Sequence, residues 1–191
     1  AFTPLALAST WAPALRLGTA IVPVYTRGPA TLAMSAATLA AAAPGRFVLG
    51  VGTSSDVIVG KWNGIPFEEP FKRARDTLRF LRSALAGEKV SHEYDTFSVQ
   101  GFRAGLVPDP APPVLLAALR PGMLRLAGRE ADGAIVNWLS ADDVRTVAPY
   151  VDEGGAGKEI VARIFVLPGM DAETSRAIGR RMIAAYMNVP V

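Results

Sequence analysis

At 191 residues, half of them hydrophobic and 19% charged, the chain has the length and composition of one globular domain. It has no cysteine, which removes disulfides, thiol catalysis and thiolate metal sites, and its one histidine, His92, argues against a histidine-built zinc centre or a Ser-His-Asp triad. The net charge of +3 is spread over helix faces and does not argue for nucleic-acid binding, and no apolar run is long enough to span a membrane.

Thr3 is placed to cap a short helix through Leu5, Leu7 and Ala8, with Pro4 at its first position. Leu15 to Val22 reads as the first strand, ending at Pro23. Gly28-Pro29 opens a helix with Leu32, Ala36, Leu39 and Ala43 at helical spacing, and Pro44-Gly45 stops it. The run Phe47-Val48-Leu49-Gly50-Val51-Gly52 follows, apolar throughout, as expected of a parallel strand covered on both faces. Gly50 and Gly52 leave no Cβ, which serves either strand packing or the close approach of a ligand. Thr53, Ser54 and Ser55 then offer hydroxyls and backbone N–H groups at the carboxyl end of that strand, where α/β proteins bind ligands. Asp56 to Pro66 is irregular, a loop over the mouth of a site.

Phe71, Ala74, Leu78, Leu81 and Leu85 make the apolar stripe of the next helix, with Lys72, Arg75, Arg79 and Arg82 largely off it on a solvated face. Val90 to Val99 alternates like a small antiparallel hairpin, an insertion carrying His92 on its surface or edge. Proline-rich 108–113 leads into a strand at Pro113 to Ala118, then a helix begins at Pro121 and runs through Leu124, Ala127 and Ala131. Ala134 to Trp138 is a further strand. Ser140 with Asp143 three residues on forms a capping box for a helix buried through Val144, Val147 and Val151. Ile160 to Leu167 reads as the last strand, and Asp171 caps a last helix with Ile178, Met182 and Ala185 on its stripe.

The order is strand then helix, repeated, with one inserted hairpin. Parallel strands joined by helices build either an open doubly wound sheet or a closed barrel. The Gly50–Gly52 turn lacks the G-x-G-x-x-G fingerprint and its ribose-binding acid, which lowers the dinucleotide-binding reading. Five visible strands fall short of the eight a barrel needs, and both ends look cut, so the expectation is a fragment of a longer barrel.

The runs Arg16-Leu17-Gly18-Thr19-Ala20-Ile21-Val22-Pro23, Gly45-Arg46-Phe47-Val48-Leu49-Gly50-Val51-Gly52 and Leu126-Ala127-Gly128-Arg129-Glu130-Ala131-Asp132-Gly133 resemble the luciferase-like flavin and deazaflavin oxidoreductases. Ile135-Val136-Asn137-Trp138-Leu139-Ser140 and Ala184-Ala185-Tyr186-Met187-Asn188-Val189-Pro190-Val191 look closest to the actinobacterial branch that uses coenzyme F420. The resemblance implies an α/β fold: a (β/α)8 TIM barrel of which strands three to seven are present, residues 1–191 being a single barrel domain truncated at both ends. It implies a cofactor, F420 or alternatively FMN, at the carboxyl ends of the strands.

Residue by residue, the resemblance places a bulge with a non-proline cis peptide under the cofactor ring at Thr19, Ala20 and Ile21. Gly52, Thr53, Ser54 and Ser55 match the loop that meets the cofactor's tail and ring edge. Leu119-Arg120-Pro121-Gly122 matches a phosphate cradle at a helix start, where N–H groups attract anions and Arg120 adds a charge-assisted contact. Asn137 and Trp138 match ring or substrate contacts. Ser55, followed by Asp56, stands where a sugar-oxidising relative holds a glutamate proton donor, which argues against sugar dehydrogenation. No catalytic acid is identified, because the important histidine or acid of several relatives follows a strand this chain lacks. The implied activity is hydride transfer between F420 and an organic substrate. An FMN-dependent monooxygenase is the alternative, and a non-catalytic remnant acting in binding or association is a third reading. A cytoplasmic homo-oligomer acting on a small molecule, with no metal, nucleic acid or membrane, completes the expectation.

Overall fold

The computed structural model describes residues 2–187; the expected motif at Asn188-Val189-Pro190-Val191 lies outside them. Helix α1 (Phe2–Trp11) precedes two short strands, β1 (Leu17–Gly18) and β2 (Val22–Pro23). Helix α2 (Pro29–Ala42) and strand β3 (Phe47–Gly52) follow, then α3 (Pro70–Leu85). The inserted hairpin is β4 (Val90–Glu93) and β5 (Ser98–Phe102). After it come β6 (Val114–Ala117), α4 (Pro121–Glu130), β7 (Gly133–Asn137), α5 (Ala141–Asp152), β8 (Glu159–Arg163) and α6 (Ala172–Met187).

The main sheet is parallel and runs β1-β3-β6-β7-β8, with β2 also paired to β3. With β1 and β2 taken as one strand position and the hairpin left aside, each position's neighbour is the next in the chain. A doubly wound sheet reverses this order at its switch point, and a barrel does not. The sheet also curls. Laid flat at about 4.8 Å per strand, its first and last positions would stand about 19 Å apart. Yet Arg16, just before β1, donates Nη1 to Glu159 Oε1 at 2.6 Å and Nη2 to Oε2 at 2.8 Å, at the start of β8. The fold is therefore part of a (β/α)8 barrel, as expected, and the ion pair spans its floor.

Alternation along each strand sorts residues into two cores. Val48, Leu115 and Ile135 are buried on the concave face, with Ile21, Ala117 and Val161 packed against them, so every strand position supplies the barrel interior. On the convex face Phe47, Leu49, Val51, Val114, Leu116, Ala134 and Val136 meet the buried sides of the helices. Burial of β3 on both faces explains why it reads as an unbroken apolar run.

Several sequence expectations are corrected. Thr3 lies inside α1 and is not its cap. The strand expected from Leu15 to Val22 is interrupted at residues 19–21. The strand expected from Ile160 to Leu167 stops at Arg163, because β7, its one partner among the described residues, has its last paired residue at Asn137. Ile164 and Val166 beyond it are exposed. Helix α6 buries no residue, so its apolar stripe packs only partly. The irregular segment after Ser55 contains a π-helical turn, Val57–Lys61. The basic face of α3 is solvated as expected, and it also pairs: Arg79 with Glu130, Arg75 with Asp76 and Asp95, and Lys72 with Glu69. The capping box of Ser140 and Asp143 is present.

Candidate functional site at the strand carboxyl ends

The interruption between β1 and β2 is a bulge that the ladder register defines. Gly18 is opposite Val48 and Val22 is opposite Val51, so three residues, Thr19, Ala20 and Ile21, face two, Leu49 and Gly50. The Ala20–Ile21 peptide is cis. Thr19 is buried, and its hydroxyl takes the place of the missing ladder: Oγ1 donates to Gly50 O at 2.8 Å and accepts from Gly50 N at 2.9 Å. The bulge turns Ile21 into the barrel interior.

The two glycines of β3 have separate roles. A Cβ at Gly50 would lie 1.9 Å from Thr19 O and 2.4 Å from Ile135 Cδ1, so Gly50 makes room for the bulge and for strand packing. A Cβ at Gly52 would meet Ala117 Cβ at 3.0 Å and Ile21 Cδ1 at 3.2 Å. Gly52 thus keeps the interior narrow where β3 ends, beside Ile21 and Ala117. Beyond it Thr53 is half-buried and Ser54 takes a left-handed φ of 65°. Ser55 is drawn into capping the π-helical turn: its Oγ accepts from Ile58 N at 3.4 Å and its carbonyl from Val59 N at 2.9 Å. Asp56 next to it is exposed.

At the end of β6, Leu119, Arg120, Pro121 and Gly122 form the exposed entrance to α4. Pro121 sits in the first turn, and the backbone of Arg120 supplies the N-cap without a side-chain bond. A Cβ at Gly122 would touch nothing within 4 Å, so the first turn opens onto free space. These are the features an anionic group needs at a helix start.

At the end of β7, Asn137 accepts from Arg163 Nη1 at 3.1 Å and donates Nδ2 to the Tyr186 hydroxyl at 2.8 Å. Trp138 leaves the strand with φ 58° and stacks on Phe165 at 4.7 Å and 22°, with Tyr186 at 5.4 Å. The expected site residues therefore all lie at the carboxyl ends of β2, β3, β6 and β7 or in the bulge that leads to them. Arg163, Phe165 and Tyr186 were not expected there. The available signal was alternation: Glu159 and Arg163 share a face with the interior residue Val161, which puts a cation at the rim.

A cleft of about 540 Å³ lies elsewhere. It lies at the amino ends of β6 to β8, between Arg82, Val114, Glu130, Asp132 and Glu159. Its polar groups are already paired: Asp132 Oδ2 accepts from Val114 N at 2.8 Å, Arg82 donates to Glu130 O at 3.0 Å, and Glu159 holds Arg16. Among the described residues no group of histidine and carboxylate side chains is arranged to hold a metal.

Comparison with known proteins bears on the fold and the family. The F420-dependent glucose-6-phosphate dehydrogenase of Mycobacterium avium is 32% identical over 149 residues, 74% of this chain and 44% of that protein. The 5,10-methylenetetrahydromethanopterin reductase of Methanolobus tindarius is 30% identical over 172 residues, 85% of this chain and 51% of that protein. The solved coenzyme F420 dependent tetrahydromethanopterin reductase from Methanopyrus kandleri superposes with a TM-score of 0.75 at 25% identity, over 84% of this chain and 53% of that one. The chain spans about half the length of the curated relatives it matches. A family model described as luciferase-like monooxygenase matches residues 1–190. With that match along nearly its whole length, and a bulged parallel barrel sheet carrying the site, the chain belongs to the luciferase-like monooxygenase family.

Proposed function

We propose that the protein is an oxidoreductase that moves a hydride between coenzyme F420 and a small organic substrate. The observation that carries this reading is the bulge at Thr19–Ile21, set beside Gly52 at the same end of the sheet as the open first turn of α4. The F420 dependence named for similar proteins supports it. The deazaflavin, when bound, supplies the carbon that donates or accepts the hydride.

The chain's own residues bind, orient and exclude water. Ile21 and Gly52 form the floor on which a flat ring would lie, with Ala20, Thr53 and Ser54 at its edge. The first-turn N–H groups of α4 at Gly122, with Arg120 and Leu119 before it, would hold a phosphate. Asn137 and Trp138 face the remaining side. Ser55, in place of a glutamate and occupied in capping, supplies no acid, which points away from a sugar substrate.

The test is fluorescence titration of the full-length protein with F420 and separately with FMN. Saturable binding of F420 alone supports the reading. FMN alone would move the function to a flavin monooxygenase, and binding of neither by a folded protein would overturn the cofactor reading and leave only the fold. Arg120→Ala is expected to weaken F420 binding about tenfold, the loss of one charge-assisted contact of about 1.5 kcal/mol.

A further inference from the structure

Strand β8 ends in a cation that faces the barrel interior. Glu159, Val161 and Arg163 alternate onto the concave face. Val161 packs against the interior cluster, and Arg163 stands one step nearer the mouth, opposite Asn137 in the ladder. Its guanidinium is fixed from two sides: Nη1 donates to Asn137 Oδ1 at 3.1 Å, and the group lies 4.6 Å from the centre of the Phe165 ring. Among the described residues it pairs with no carboxylate. Four of its five N–H donors are not used by Asn137.

The other end of the same amide fixes a second donor. Asn137 Nδ2 donates to the Tyr186 oxygen at 2.8 Å, so the phenol accepts there and its own proton is directed elsewhere. One amide thus gathers a guanidinium and a phenol O–H. Beside them Trp138, Phe165 and Tyr186 form a wall of three rings. A fixed, planar, donor-rich cation against an apolar wall is the complement of a carboxylate on a flat apolar body. One guanidinium at this rim matches a monoanion; a phosphate dianion calls for a second cation.

We propose that Arg163, with the Tyr186 hydroxyl and the Trp138–Phe165–Tyr186 wall, selects the substrate by binding the carboxylate of a flat, otherwise apolar organic acid. This deepens the oxidoreductase reading and rests on it for the reaction, while the binding itself requires no cofactor.

The experiment is calorimetric titration of the full-length protein with benzoate, methyl benzoate and phenyl phosphate, for the wild type, Arg163→Gln and Arg163→Lys. Benzoate is expected to bind at least tenfold more tightly than its uncharged ester. Arg163→Gln is expected to lose at least tenfold in benzoate affinity while its melting temperature stays unchanged, and Arg163→Lys to recover part of the loss. Equal benzoate binding by wild type and Arg163→Gln would overturn the proposal, as would equal binding of ester and acid. Arg163-dependent binding of phenyl phosphate that is tighter than that of benzoate would overturn the carboxylate assignment. Arg163-dependent benzoate binding in a protein that binds neither F420 nor FMN would uphold this site and sink the oxidoreductase reading; F420 binding with Arg163-independent benzoate would do the reverse.

Discussion

Thr19 shows how one side chain makes a backbone irregularity tolerable. A bulge in a parallel ladder leaves peptide groups without partners, and buried peptide groups without partners cost about 1–3 kcal/mol each. The Thr19 hydroxyl both accepts from and donates to Gly50, so neither backbone group of Gly50 is orphaned. Thr19→Val, equal in shape but unable to bond, is expected to cost about 2–3 kcal/mol in urea unfolding, and Thr19→Ser to keep most of the stability. Gly50→Ala forces a methyl against Thr19 O and is expected to cost about 3 kcal/mol, measured the same way. The G-x-G spacing was legible in the sequence, but its purpose was not. Periodicity cannot distinguish a glycine that admits a ligand from one that admits a neighbouring carbonyl, and Gly50 is the second kind. The position of the bulge came from the family resemblance alone, since Leu15 to Val22 has the pattern of a plain strand.

The elements hold together through a few local devices. Asp76 on α3 is almost fully buried, yet every bond it needs is made: Oδ2 accepts from Thr96 N at 3.0 Å and Thr96 Oγ1 at 2.9 Å, and Oδ1 accepts from Arg75. This carboxylate pins the turn of the inserted hairpin to the helix before it. Asp76→Ala is expected to cost about 3–4 kcal/mol, and hydrogen exchange should show lost protection concentrated in residues 90–102. Helix α4 meets the turn that follows α5 at Gly128 and Gly154, where a Cβ on Gly154 would lie 2.1 Å from the Gly128 carbonyl carbon. Apolar spacing disclosed the helices and their buried faces, because each packs one stripe on the sheet. It misjudged α6 and the end of β8, where the neighbours that would bury an apolar residue or continue a ladder are absent from the described residues. Arg163 went unnoticed for a related reason. Its role depends on which face of a strand points inward, and that follows from a curl set by contacts far away in the chain.

For the molecule as a whole, the strand order decides the architecture. Each ladder joins consecutive strand positions, and curvature brings the first back toward the last. The Arg16–Glu159 pair is partly exposed, so it contributes no more than about 1 kcal/mol. The guanidinium's hydrogen bonds hold the Glu159 carboxyl below the ordinary glutamate range, against the opposing effect of burial. A carboxyl whose pKa is lowered by folding stabilises the fold above its unfolded-state pKa, and that contribution is lost as pH falls through the folded-state value. The stability difference between wild type and Arg16→Ala should therefore be full at pH 7 and vanish at a pH below the folded-state value, as read from urea midpoints across an acid series.

The same ion pair has a meaning in time. Its partners are 143 residues apart, whereas consecutive strands find each other as soon as both have been made. During synthesis the sheet can grow strand by strand from its amino-terminal side, but the floor stays unlatched until Glu159 has left the ribosome. Closure of so long a loop adds little entropy over a moderately long one, because the cost rises only with the logarithm of length. The latch thus registers that the arc has reached its fifth strand position, at a small thermodynamic cost and with a delay set by translation alone.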